Sequence, residues 1–87
     1  MHHREVVKWF ASQMEQTLLD NDHKGGWRHM TIKELYSRLA DEMGELQTEI
    51  NFPEQDMAAI INECADVANF ALMVADVARK KLEENQK

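Results

Sequence analysis

One proline, three glycines and a single cysteine are spread over 87 residues, and nowhere do 18 apolar residues run uninterrupted. Each scarcity excludes something. A lone Cys64 cannot close an internal disulfide, and no pattern of cysteine pairs suggests structural zinc. A reducing interior suits such a chain. The start, "MHHREVVKWF", is charged rather than a basic end leading into an apolar stretch, so neither a membrane span nor a leader is expected and the cytoplasm is the expected location. His2 and His3 in it read as solvated side chains, not ligands. Basic residues are also few. Lys and Arg total ten against sixteen Asp and Glu, and a formal charge of −6 disfavours nucleic acid as a partner. Alternating runs of Val, Ile and Thr are missing, which excludes a sheet.

What remains is helical periodicity, and it predicts an all-α single domain over 1–87 with three helices. The first spans about 4–20, with Val6, Val7, Phe10, Met14 and Leu18 on one face, and stops at "DNDHKGGWRHM". The second begins at Thr31, where "TIKE" forms a capping box between the Thr31 hydroxyl and the Glu34 carboxylate. Ile32, Leu35, Leu39, Met43, Leu46 and Ile50 then mark an apolar seam that ends before Pro53. Pro53 suits the first turn of the third helix, which continues to about Glu84. A chain this short buries little of its surface, and the third helix is apolar nearly all round, so a homo-oligomer, dimer or tetramer, is expected.

Four carboxylates interrupt this apolar pattern: Glu42 and Glu45 in "DEMGEL", Glu63 and Asp66 in "ECAD". If the second and third helices form an antiparallel hairpin turning near residue 54, residues whose numbers sum to 108 lie at equal depth. Glu42 then faces Asp66, and Glu45 faces Glu63. At 1.5 Å of rise per residue these levels lie roughly 18 Å and roughly 14 Å below the turn. Spacings of three keep both carboxylates of each helix on one face. Four negative charges between helices repel one another unless a cation neutralises them. Oxygen-only ligands suit Mg²⁺, with Mn²⁺ as a substitute, and the lack of a Glu-x-x-His repeat argues against a di-iron bundle. The plainer reading of Glu42 and Glu45 alone is a solvated face. Glu63 and Asp66 resist that reading, because the apolar residues around them leave no face for solvent alone. Asn69, one turn on, extends the polar stripe, and Asp76 either joins it or caps its solvent edge.

In these residues the chain resembles the MazG-like nucleotide pyrophosphohydrolases, the all-α group that includes dimeric dUTPases. The likeness spans residues 24 to about 79: "EMGE", "ECAD" some seventeen residues later, "VANFALMVADV", and the loop "KGGWRHM", which is similar to phage-type members. Larger members continue past the third helix. The resemblance implies that Glu42, Glu45, Glu63 and Asp66 bind Mg²⁺. It further implies a four-helix-bundle-like assembly that hydrolyses nucleoside triphosphates to monophosphate and pyrophosphate, in nucleotide-pool housecleaning. Carboxylate-bound Mg²⁺ keeps positions open for phosphate oxygens and water, offsets developing charge and lowers the pKa of the attacking water. Glu42 or Glu45 is the expected group that orients or deprotonates that water.

Substrate contacts are expected from the loop. Lys24 and Arg28 offer charge to phosphate, Gly25 and Gly26 let backbone approach closely, and Trp27 offers a face to a base. Its plainer reading is an ordinary connection, with Trp27 plugging the core and His29 solvated. Asn69 can read a sugar or base edge, or be a buried amide satisfied by neighbours. Lys80 and Lys81 are either phosphate contacts across a subunit boundary or a basic last turn favoured by the helix dipole. Cys64 reads as packing, since the acids beside it disfavour a thiolate. Trp9 and the six methionines read as core or interface. Two other functions fit the same residues: a non-catalytic helical dimerisation or interaction module with a solvated acidic patch, and a hydrolase of another nucleotide diphosphate.

Overall fold

Helix α1 runs Glu5–Asp20, α2 Ile32–Asn51 and α3 Met57–Asn85, in a computed structural model that describes residues 3–21 and 25–86. No strand occurs among the described residues, and the all-α expectation holds. Local chemistry fixes the start of α2. The Thr31 hydroxyl accepts the Glu34 N–H at 3.1 Å while the Glu34 carboxylate accepts the Thr31 N–H at 3.2 Å, so each end of the capping box satisfies a free helical donor. These bonds hold the Glu34 carboxyl below its ordinary pKa, the bond from the Thr31 backbone contributing most.

Pro53 does not open α3, contrary to its expected place. It lies in a bend over 52–54, and the ring's clash with the preceding residue keeps Phe52 extended at φ −63°, ψ 139°, which ends α2. Helix α3 begins four residues later behind Asp56, whose carboxylate accepts the Ala59 N–H at 3.1 Å. Asp56 supplies an acceptor for a free helical donor, and proline has none to offer.

Helix α3 is the central element: α1 and α2 each pack on it, but not on each other. A groove therefore opens between α1 and α2, floored by α3. The packed face of α2 also differs from the expected seam. Leu35 is fully buried and Leu39 and Leu46 are partly covered, but Met43 is 55% and Ile50 45% exposed, while Glu42 and Glu49 are half-buried. The face runs 35, 39, 42, 46, 49, alternating four and three, and Met43 and Ile50 each stand one residue off it. Carboxylates thus occupy packing positions, and two apolar side chains face outward.

Among the described residues the buried apolar side chains are Leu35, Ala65 and Val77. Val6 and Val7, on the expected apolar face of α1, and Trp9, expected in the core or an interface, are exposed within the single chain, as are Tyr36, Leu72 and Met57. By length and composition α3 is apolar enough to cross a membrane: a stretch of it has a mean hydropathy of 1.4, and only 11% of that stretch is buried within the chain.

Candidate functional site

Three carboxylates converge where the packed face of α2 meets α3. Glu42, Glu45 and Glu63 each bring an oxygen within 4.8 Å of the other two. One oxygen of Glu42 (Oε2) and one of Glu63 (Oε2) are buried without a hydrogen-bond partner, a costly state for groups that attract water or charge. The proton affinities follow from this placement. Burial is the main cause that raises the Glu42 pKa from 4.5 to about 7, followed by the adjacent Glu45 side chain and by the charges of Asp66 and Glu63. Burial likewise leads in raising Glu63, with Asp66, Glu45 and Glu49 adding repulsion.

Of these side chains Glu42 and Glu45 border a cavity of about 470 Å³ in the groove between α1 and α2, and Glu63 does not. Glu42, Glu45 and Asp66 line it, together with Thr17 of α1, Asn21 just past its end and the Gly25–Trp27 segment. Gly25 holds φ at +88°, a conformation that favours glycine. The floor holds Asn69, only 3% exposed. Its Nδ2 donates to the Met14 carbonyl at 3.1 Å, which fixes the amide, and its Oδ1 remains buried without a partner. Asn69 can therefore offer the cavity an acceptor. Above Phe70 lies Arg38, its guanidinium carbon 5.6 Å from the ring centroid, the sole Arg or Lys among the described cavity-lining residues.

The site residues expected from the sequence separate into groups. Glu42, Glu45 and Glu63 come together; Asp66 lies outside their mutual 4.8 Å set, but borders the cavity and acts on both Glu42 and Glu63 through its charge. Trp27 and Asn69 line the same cavity, and Arg28 does not. Lys24 lies outside the described residues, as does His2. Asp76 turns out to hold the loop. Its side chain, 9% exposed, accepts the Trp27 indole N–H at 3.0 Å, the Arg28 Nε–H at 3.4 Å and an Arg79 N–H at 2.6 Å. The Arg79 bond, followed by that from Trp27, keeps its carboxyl below the ordinary range. Two residues were missed. Arg38 and Glu49 flank Glu42 and Glu45 at spacings of four, a signal present in "RLADEMGELQTE", where 38, 42, 45 and 49 share one helical face.

Neither a family model, nor a curated protein, nor a solved structure matches the chain. Chemistry must then be read from the donor set itself. Two oxygens bound to one Mg²⁺ stand at most about 4.2 Å apart, given ligand distances near 2.1 Å. Three carboxylates within 4.8 Å of one another could close on such an ion through small side-chain rotations. The orphaned oxygens of Glu42 and Glu63 would gain a partner by that movement. A hard, oxygen-seeking divalent cation fits the residues present.

Proposed function

We propose that the chain is a Mg²⁺-dependent nucleoside triphosphate pyrophosphohydrolase of the MazG-like kind, converting a (d)NTP and water to (d)NMP and pyrophosphate. One observation carries this reading. Glu42 and Glu63 bury carboxylate oxygens without partners in a helix seam that leucines begin, and no packing reason favours charge there. In this reading α2 and α3 are an antiparallel hairpin in the register in which paired numbers sum to 108. The contact of Arg38 with Phe70, and the repulsions between Glu42 and Asp66 and between Glu45 and Glu63, support that register. Glu42, Glu45, Glu63 and Asp66 would hold the ion, and Mn²⁺ could replace Mg²⁺. The ion would supply charge for the phosphoryl oxygens and a more acidic water.

The chain's own side chains do the rest. Glu42 or Glu45 orients the attacking water and takes its proton. Arg38 meets a phosphate, and the Asn69 Oδ1 accepts a hydrogen bond from the sugar or base. Trp27, tethered at its N–H, keeps its ring for a base at the cavity rim. A cavity of about 470 Å³ falls within the usual range for small-molecule sites. The test is pyrophosphate release from a panel of nucleotides with Mg²⁺ and with EDTA. Release from at least one triphosphate, lost in EDTA, is expected. Turnover restricted to a diphosphate or diphosphate sugar would instead identify the alternative hydrolase, and inertness toward the whole panel would leave an interaction module.

Oligomerisation belongs to the same proposal. The radius of gyration is 14.7 Å, against about 12 Å for a compact chain of this length, and so few buried apolar residues cannot cover α3. A second copy on its outward face would complete a four-helix-bundle-like core. It would also explain a membrane-like hydropathy without a membrane, because Glu63 and Asp66 are costly in lipid. A soluble, cytoplasmic enzyme without a nucleic-acid partner follows. Sedimentation at micromolar concentration should give a dimer or larger species; a monomer would refute this part.

A further inference from the structure

A second concavity of about 470 Å³ shares only Met30 with the acidic cavity. Arg28, His29, Lys33, Lys80 and Lys81 line it, and Glu84 is its one carboxylate. A chain with ten Lys and Arg and a net charge of −6 thus gathers four of those ten around a single hollow. They come from three elements: the loop, the first turn of α2, and α3. Like charges so gathered repel, so the arrangement is not a stability device. The helix dipole does not account for Lys80 and Lys81 either. Helix α3 runs on to Asn85 and its last turn holds no basic residue, and the dipole's effect fades beyond that turn.

We propose that this concavity binds a linear polyphosphate, a di- or triphosphate chain, held by Arg28, Lys33, Lys80 and Lys81. Several cations spread round a hollow of this size match an extended multiple anion better than a single carboxylate or monophosphate. Arg28 uses its Nε–H toward Asp76, which leaves the terminal N–H groups of its fork for phosphate oxygens. Glu84 opposes the ligand and tempers its affinity. Arg28 and Trp27 share one oxygen of Asp76, so an anion that draws on Arg28 changes the hold on the indole at the rim of the other cavity. The site does not depend on hydrolysis or on a metal.

Inorganic tripolyphosphate titrated calorimetrically into the full chain in EDTA isolates this site, because no divalent ion can then bridge phosphate to the carboxylates. Saturable binding is expected. Lys80→Ala with Lys81→Ala should weaken it about tenfold, Glu84→Gln should tighten it, and Glu63→Gln should not weaken it. A nucleoside triphosphate in EDTA separates the sources. Affinity equal to that of tripolyphosphate assigns a bare phosphate chain, and tighter binding, still lost with the two lysines, assigns a nucleotide's phosphate tail. Absence of saturable binding, indifference to both lysines, equal displacement by sulfate at matched ionic strength, or tighter binding of a single-stranded oligonucleotide would each overturn the proposal. None of these outcomes bears on pyrophosphate release in Mg²⁺.

Discussion

Glu63→Gln should lower Mg²⁺-dependent triphosphate hydrolysis by a factor of roughly 10² to 10³ while the helical circular-dichroism spectrum stays intact. Glutamine keeps the shape and volume of the side chain, so packing on α3 is preserved. Its amide cannot give the ion a negative oxygen. The buried, partnerless Oε2 of Glu63 is the atom that the substitution alters most. Removing one of several crowded charges also relieves repulsion, so the metal-free variant should melt no lower than the parent. Asp66→Asn should act in the same direction. Its effect should be smaller, because Asp66 stands outside the close set of oxygens. Glu54→Gln, an exposed change in the 52–56 connection, is the control and should leave the rate unaltered. Steady-state kinetics over a range of Mg²⁺ concentrations decide the matter. Wild-type turnover in folded Glu63→Gln would remove the carboxylates from catalysis.

Local signals carried most of what the sequence revealed. Thr31 and Glu34 mark a helix start because both partners of the cap lie within one turn, so no distant contact is needed to foresee it. Asp56 sends the same kind of signal, yet Pro53 competes with it. The proline governs the residue before it, and the carboxylate governs the helix after it. Apolar character alone puts Met43 and Ile50 on the packed face of α2. Here Glu42 and Glu49 hold that face. Functional sites are where hydrophobic patterning and packing part company. The charge of Arg28 points to a phosphate. Its engagement with Asp76, 48 residues away, is a tertiary fact that no spacing rule reports. The packing of α1 on α3 is of the same kind: an amphipathic face shows that a partner exists, not which helix it is.

In EDTA the chain should lose stability as the pH rises from about 4.5 to about 7, and Mg²⁺ should reverse the trend. The sign follows from the direction of the shifts. Glu42 has an ordinary value of 4.5 and a folded value of about 7, so the folded chain holds this proton more tightly than the unfolded one. Its contribution is fully present below 4.5 and is lost as the pH passes 7. Glu63, raised chiefly by burial, adds in the same sense. Asp76 is shifted the other way; its contribution exists above its ordinary 3.8 and falls away in acid, below the window concerned. Solvent reaches the patch, so the loss from Glu42 should amount to about 1 to 2 kcal/mol. Mg²⁺ binds the ionised carboxylates. At a hundred times its Kd it should add about 2.7 kcal/mol above neutrality, or roughly 10 to 20 °C in Tm for a domain of this size. Near pH 5 the ion must displace protons and should do much less. Thermal melts at pH 5 and 8, each with EDTA and with Mg²⁺, test both halves together. A Tm that ignores pH in EDTA and ignores Mg²⁺ at pH 8 would mean that the acidic cluster is solvated and holds no ion. Glu42→Gln sharpens the result, since the pH dependence should flatten and the gain from Mg²⁺ should shrink in the same variant.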